Sequence, residues 1–433
     1  MNELVRTQAA TPSVAGEIAT VCVMGLGYIG LPTAAIIASR GMAVHGVDVR
    51  QDVVDLIAKG LIPISEPDLD GLVQKVIRDG GLRVATAPTE ADVFILAVPT
   101  PISEDKAPVL DMVFTAVRAI APVLRAGNLV ILESTSPVGT TEQVSELLAE
   151  LRPDLALPTR KGAANINLAY CPERVLPGRI LAELVDNARC VGGVTSACAK
   201  RAQHFYKQFV RGPCLVTTAR TAELVKLAEN AYRDVNIAFA NELSMICDDL
   251  SVDIWDVIDL ANRHPRVNIL RPGPGVGGHC IAVDPWFIVH SAPERAQLIR
   301  AARNVNDSKA HHVLARAEAL IGEHPYANVA CLGLAFKANV DDLRESPALE
   351  IAKALADKYG ARIRIVEPYL HELPALFEGT GATLVNLAGA LASCEIAIVL
   401  VDHEEFKAIS TSERRHLDVL DSRGIWRERR LQP

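Results

Sequence analysis

Ile18-Ala19-Thr20-Val21-Cys22-Val23-Met24-Gly25-Leu26-Gly27-Tyr28-Ile29-Gly30 sets an apolar, partly β-branched run directly against a glycine-spaced turn. Leu31 to Arg40 then reads as a helix, and Ala43 to Val47 returns to strand and ends on Asp48. A lone GxGxxG pattern says little and occurs in unrelated α/β proteins, but strand, glycine turn, helix, strand and acid in that order form the dinucleotide fingerprint in its context. Gly25, Gly27 and Gly30 permit a tight turn and close approach of a pyrophosphate to a helix N-terminus, while Asp48 can accept hydrogen bonds from the adenosine ribose. A carboxylate there repels a 2′-phosphate, so NAD is expected rather than NADP, and Arg50 is the one neighbour that points the other way.

Outward from this turn, Val93 to Val98 and Leu129 to Leu132 are near-continuous apolar runs, as strands of a parallel sheet covered on both faces are. Pro99-Thr100-Pro101 and Glu133-Ser134-Thr135-Ser136-Pro137 then fall at strand carboxyl ends, where ligands bind in such sheets. Thr135 can orient a water or a cofactor amide; it serves equally as the cap of a helix expected over Val138 to Leu148. Leu151 to Ala164 reads as an irregular connection, and Asn167 to Tyr170 as a strand opening into Cys171-Pro172-Glu173-Arg174-Val175-Leu176-Pro177-Gly178. Glu173 is thus at another strand end, where a solvated loop acid is the plainer alternative.

Thr221 to Leu250 runs without Gly or Pro and repeats apolar residues at helical spacing, a length suited to linking domains or pairing subunits. Lys226, Asn230 and Arg233 share one face, so an ammonium and an amide can stabilise an oxyanion, or else form a solvated surface. Asn262-Arg263-His264-Pro265-Arg266 concentrates positive charge just before Pro272-Gly273-Pro274-Gly275-Val276-Gly277-Gly278-His279-Cys280-Ile281-Ala282-Val283-Asp284. That run is a shaped loop delivering one cysteine. A helix beginning after it puts Cys280 and Asp284 on one face, near amides that favour a thiolate; a buried small hydrophobe is the alternative for Cys280. Trp286 and Phe287 read as core, and His279 has no evident role.

In the last third, Asn328 to Leu334, Arg362 to Val366 and Glu395 to Val401 read as strands of a second parallel sheet, with a helix after Pro347 to about Lys358. It lacks the full glycine fingerprint, so something other than a second NAD is expected there, and Lys337 and Arg344 suit phosphate. The 433 residues are 49% hydrophobic and 22% charged, which indicates packed domains rather than disorder. A net charge of -8 lacks the basic footprint of a nucleic-acid binder. Nine cysteines without a CxxC pair resemble neither a disulfide scaffold nor a zinc site and fit a reducing cytoplasm. The first 17 residues lack the apolar core of a signal peptide, and no 18-residue apolar run follows. A soluble protein with a flexible N-terminal tail and no membrane association is expected.

The order of Gly25 to Pro32, Ser134-Thr135, Cys171-Pro172-Glu173, Lys226 with Asn230, Gly277-Gly278-His279-Cys280 with Asp284, and Gly333-Leu334-Ala335-Phe336-Lys337 resembles the UDP-glucose/GDP-mannose dehydrogenase family across nearly the whole chain. Within it, Asn262 to Leu270 and Pro272 to Trp286 look most like the members acting on UDP-N-acetyl-D-mannosamine. The resemblance implies an α/β protein with two Rossmann-like parallel-sheet domains joined by a helical central domain with a long helix. It assigns residues 1–17 to the tail, 18–215 to an NAD-binding domain, 216–318 to a dimerising central domain with the cysteine loop, and 319–433 to a UDP-sugar-binding domain. It implies NAD-dependent oxidation of a C6 hydroxymethyl to a carboxylate through a cysteine thiohemiacetal and thioester, in surface polysaccharide synthesis. UDP-N-acetylglucosamine, UDP-glucose and GDP-mannose are alternative substrates, and a non-catalytic NAD-binding scaffold is a rival without need of the full residue set.

By resemblance Cys280 is the nucleophile, Asp284 the water-activating carboxylate, Lys226 and Asn230 the oxyanion-binding pair, Thr135 the positioner of a water, and Glu173 an active-site glutamate. Cofactor contacts fall on Gly25, Gly27, Tyr28, Ile29, Gly30, Asp48, Arg50, Pro99, Thr100, Thr135 and Arg344. Substrate contacts fall on Glu173, Arg174, Lys226, Asn230, Gly277 and Lys337, with Arg266 contributed by the partner of a homodimer.

Overall fold

The computed structural model describes residues 18–64, 66–158, 164–176 and 178–427. The expected tail, Pro177 and part of the irregular connection before Ala164 lie outside the described residues. The chain divides into two compact units, Met1–Pro101 with Pro108–Lys226, and Ile102–Ala107 with Leu227–Pro433.

The first unit is built on β1 (Thr20–Met24), β2 (Ala43–Val47), β3 (Leu82–Ala85), β4 (Val93–Leu96), β5 (Leu129–Leu132), β6 (Asn167–Tyr170), β7 (Arg189–Gly193) and β8 (Cys214–Thr218). Their order is β3-β2-β1-β4-β5-β6-β7-β8. The first six pair in parallel in the order of doubly wound dinucleotide-binding sheets. Every residue of β4 and β5 is buried, because separate apolar clusters cover the two faces of the sheet. That double cover is why these strands read as unbroken apolar runs.

One departure from a purely parallel sheet matters for the site. β7 runs antiparallel to β6, with Tyr170 opposite Gly192, and β8 runs parallel to β7. Because antiparallel pairing reverses direction, the start of β7 at Arg189 extends past the end of β6 and meets the Cys171-to-Glu173 segment. The helix expected from Val138 runs Thr140–Leu151 instead. Its N-cap is Gly139 at φ 100, so Thr135 is not its cap.

In the second unit, β9 (Val329–Leu332), β10 (Ile363–Val366), β11 (Thr383–Leu384), β12 (Ile396–Val399) and β13 (Asp418–Asp421) form a parallel sheet ordered β11-β10-β9-β12-β13. A helix over Gln297–Glu323 lays Ala310, Val313, Ala317 and Ile321 on it beside Ile351 and Leu355 of the helix Pro347–Tyr359. The long helix, Ala219–Asp249, contributes Asp234, Asn241 and Ser244 as buried polar residues. These meet Arg303, Asn306 and Lys309 of Gln297–Glu323, so the two helices share a polar seam. No helix among the described residues is long and apolar enough to cross a membrane.

Lys309 is buried in that seam and donates to Ser244 Oγ at 2.8 Å. Burial pushes its ammonium down to about 8. At neutral pH the lysine is charged in both the folded and unfolded chain, and only the folded chain bears the desolvation. Lys309→Met is therefore expected to raise the unfolding midpoint at pH 7 by roughly a few degrees. The gain should shrink as pH rises through 8 toward the ordinary lysine value of 10.5, and thermal melts across that range check it.

Candidate active site

The loop after β1 is shaped by backbone that tolerates no side chain. Gly25 lies at φ 93, and a Cβ on Gly30 would fall 1.8 Å from Gly25 O. Gly27, in contrast, faces open space with nothing within 4 Å of a Cβ position, which leaves room for a pyrophosphate to approach. Asp48 braces the turn: Oδ2 accepts from Leu26 N at 3.0 Å, and Oδ1 accepts from Arg50 N at 3.0 Å. The Arg50 guanidinium is exposed and paired with Asp52, so a 2′-phosphate would meet two carboxylates beside one neutralised cation. Tyr28 and Ile29 are half-buried at the head of the helix Gly30–Ser39, while Thr100 is half-buried and Pro99 exposed beyond β4. These residues fit a dinucleotide without 2′-phosphate.

At the end of β5, Ser134 is buried and donates to Val98 O at 2.7 Å, and Ser136 donates to Ser134 O at 2.9 Å. Thr135 between them is half-buried, and its hydroxyl has no hydrogen-bond partner among the described residues. Glu173 is not a solvated loop acid, for it is 8% exposed. Arg189 Nη1 lies 3.1 Å from its Oε2, an ion pair without an aligned hydrogen bond. The same guanidinium lies 4.0 Å from Glu133, which accepts from Tyr206 OH at 2.7 Å. Burial pushes Glu133 above the usual carboxylate range against the pull of Arg189. The main chain of Glu173 serves another partner, its carbonyl accepting from Lys226 Nζ at 2.8 Å. Arg174 anchors the segment by donating to Ala188 O.

In the second unit, the cysteine loop packs where glycine is required. A Cβ on Gly277 would lie 2.3 Å from Glu345 O, and Gly278, at φ 80, donates from its N–H to Arg344 O at 3.1 Å. The helix expected after the cysteine loop runs Asp284–Ser291, and Cys280 sits in the turn before it, half-buried. The four-residue spacing survives as a turn, because Cys280 O accepts from Asp284 N at 2.8 Å. Asp284 is buried, and its Oδ2 accepts from Asn230 Nδ2 at 2.5 Å. The structure therefore brings Asn230 to Asp284 and Lys226 to the Glu173 carbonyl. Phe287 is core with Leu227 and Val283, whereas Trp286 is half-buried.

Arg266 is exposed on a loop tied by Asn262, which accepts from Ile269 N at 2.7 Å and donates to Ile269 O at 2.9 Å. Lys337 is half-buried with Nζ 5.7 Å from the Phe336 ring, and Arg344 pairs with Asp342 at 2.6 Å. Burial pushes Asp342 up, but Arg344 and, more weakly, the exposed His279 hold it below the usual range. The loop after β9 repeats the turn after β1: Gly333 lies at φ 96, and Leu334 N donates to Glu367 Oε2 at 2.7 Å. Here the acid is fully enclosed and lies 3.3 Å from His403, so it has no free edge for a ribose.

Glu133, Arg189 and Tyr206, and the seam of Asp234, Asn241, Asn306 and Arg303, were not legible as site-supporting residues from motif spacing. Polar residues interrupting the apolar face of the long helix, Asp234 and Asn241, were the available signal.

Models of the UDP-glucose/GDP-mannose dehydrogenase family match three segments: the NAD binding domain over residues 19–210, the central domain over 220–308 and the UDP binding domain over 330–428. An NDP-N-acetyl-D-galactosaminuronic acid dehydrogenase of Ralstonia nicotianae is 54% identical over 96% of this chain and 98% of its own. A UDP-N-acetyl-D-mannosamine dehydrogenase of Escherichia coli K12 is 53% identical over 95% of this chain and 100% of its own. Among solved structures, a UDP-D-ManNAc dehydrogenase of Pyrococcus horikoshii aligns with TM-score 0.84 and 37% identity over 94% of this chain and 96% of that one. The UDP-N-acetyl-mannosamine dehydrogenase Cap5O of Staphylococcus aureus aligns with TM-score 0.82 and 41% identity, covering 94% of this chain and 95% of that one.

Gly30→Ala tests the cradle. The added methyl collides with backbone rather than a yielding side chain, so NAD affinity should fall by about ten-fold or more, read by fluorescence titration. Retention of wild-type affinity would contradict the assignment.

Proposed function

This chain belongs to the UDP-glucose/GDP-mannose dehydrogenase family, and on that premise we propose that it oxidises the C6 hydroxymethyl of UDP-N-acetyl-D-mannosamine to a carboxylate in two NAD-dependent steps. It is an NAD-dependent nucleotide-sugar dehydrogenase with NAD and UDP binding domains. The observation that carries the mechanistic reading is the turn that joins Cys280 to a buried Asp284 already holding Asn230. A packing cysteine needs no such carboxylate.

Gly25, Gly27 and Gly30 would hold NAD, which would accept one hydride in each oxidation, a fresh NAD replacing the first NADH between them. In the first, the proton of the C6 hydroxyl leaves through water oriented by Thr135 toward Asp284. The Cys280 thiolate then adds to the aldehyde carbon; a C–S bond forms, and the carbonyl oxygen becomes an oxyanion stabilised by Lys226 and Asn230. Loss of the second C6 hydride leaves a thioester. Water deprotonated by Asp284 attacks it, the C–S bond breaks, and the acid leaves with the thiol restored. Glu173 and Arg174 shape the loop whose carbonyl receives Lys226, and Gly277 lets the backbone approach the sugar nucleotide. Lys337 takes the diphosphate, Arg344 the cofactor side, and Arg266 reaches the partner subunit's substrate. The division at residues 18–215, 216–318 and 319–433 belongs to this reading, as does a place in the reducing cytoplasm.

A homodimer through the central helix is part of the same proposal. Tyr232, Phe239, Ile246 and Leu250 are exposed at spacings that keep them on one stripe of Ala219–Asp249, an apolar surface suited to a second copy. The identity to the Ralstonia relative supports a second reading in which the sugar is N-acetylgalactosamine.

Purified protein given UDP-N-acetylmannosamine, UDP-N-acetylgalactosamine, UDP-N-acetylglucosamine, UDP-glucose and GDP-mannose in parallel should turn over the first fastest and release two NADH per sugar. A single NADH, or no turnover with any of them, would sink the mechanism. Cys280→Ser should stop acid formation, and unchanged acid output would refute the nucleophile. Phe239→Glu should shift the protein toward monomer in analytical ultracentrifugation, since a charge in an apolar seam is costly to desolvate.

A further inference from the structure

We propose that Asn241 is a positioning residue for the loop that carries Cys280, held in one orientation by a buried hydrogen-bond chain whose polarity is set by Asp234. The inference rests on the reading of Cys280 as nucleophile. Pro272 and Pro274 have no N–H, so Gly273 offers the one main-chain donor of that three-residue run. This donor is buried and donates to Asn241 Oδ1 at 3.0 Å. Opposite it, a Cβ on Gly273 would lie 2.3 Å from Arg423 Nη1, so the loop is gripped from two sides.

An asparagine amide can present either oxygen or nitrogen, and only its partners decide which. Here every partner is determined. Asp234 Oδ1, to which Arg303 Nη1 donates at 2.6 Å, is an acceptor. Asn306 Nδ2 donates to Asp234 Oδ1 at 2.8 Å and to the Asp234 main-chain O at 3.1 Å, which leaves its Oδ1 to accept from Asn241 Nδ2 at 2.9 Å. Asn241 then has its oxygen, and not its nitrogen, toward Gly273. Asp234, Asn241, Arg303 and Asn306 are each at most 1% exposed, so water cannot substitute for any link. Asp234, by its carboxylate and its main-chain carbonyl together, thus fixes the direction of a hydrogen bond at the root of the cysteine loop.

The test uses the full-length enzyme and reads the loop in two ways: site-resolved alkylation of Cys280 by iodoacetamide without substrate, and steady-state kinetics with NAD affinity. Asn241→Leu should change the Cys280 alkylation rate by about three-fold or more and lower kcat by about ten-fold or more, with NAD affinity held within about two-fold. Asn241→Asp keeps the acceptor for Gly273 but loses the donor, and should be comparably impaired. Asn306→Leu leaves Asn241 in place but cuts it from Asp234, so it should move Cys280 alkylation and kcat in the same direction as Asn241→Leu by a smaller factor. A folded Asn241→Leu enzyme with wild-type alkylation and kcat, or an Asn306→Leu enzyme indistinguishable from wild type in both, overturns the proposal. If Asn241→Leu does not fold, Asn241→Asp and Asn306→Leu decide alone. Full acid production by Cys280→Ala would remove the nucleophile reading, and the alkylation rates would still decide whether Asn241 places the loop.

Discussion

Each of the two sheets depends on a carboxylate at the end of its second strand in chain order that holds the turn following the first. Asp48 takes Leu26 N after β1, and Glu367 takes Leu334 N and Ala335 N after β9. Without those acceptors, main-chain donors at the carboxyl ends of central strands would be buried unpaired, which costs about as much as a lost hydrogen bond each. The left-handed glycines Gly25 and Gly333 make the same turn possible in both places, at φ 93 and φ 96. One backbone solution is therefore used twice.

What differs is how much of the acid remains for a ligand. Asp48 commits one oxygen to Leu26 N and the other to Arg50 N, and is half-buried, so an edge stays open to a ribose. The longer Glu367 reaches both donors and lies against His403, with neither side chain exposed. Burial raises Glu367, yet the contacts with His403 and the two N–H groups win and hold it low. An enclosed, satisfied carboxylate cannot recognise a ribose. The second sheet thus keeps the architecture of a dinucleotide fold while closing its recognition point, in keeping with the match of this region to a UDP binding domain.

Legibility in the sequence followed burial. Ala43–Val47, Leu129–Leu132 and Asn167–Tyr170 could be read because their apolar runs end at turns, and the strands occupy those same residues. β7 could not, since it opens on Arg189 and closes on Gly192-Gly193, and β8 is an edge strand with Leu215 and Val216 exposed. The helix Gln297–Glu323 lacked a clean apolar period because Arg303, Asn306 and Lys309 point inward. For the site, the fingerprint and the Cys280-to-Asp284 spacing were visible, since both are local. The burial of Glu173 was not, because it follows from the antiparallel register that sets Arg189 beside it.

Those inward charges are hard to explain as stabilisers. Buried ion pairs are roughly neutral against well-packed apolar residues, and here the pairing is incomplete: Asp234 Oδ2 and Arg303 Nε have no hydrogen-bond partner among the described residues. An apolar seam between the two long helices would hold them together at least as well. It would not, however, distinguish one orientation of Asn241 from the other, and a leucine there could offer Gly273 N–H nothing. A hydrogen-bonded chain carries direction, which hydrophobic contact lacks, and a loop made of glycine and proline has few other means of being placed. The desolvation of Asp234 and Arg303 is therefore best understood as the condition for an ordered loop and not as a contribution to the core.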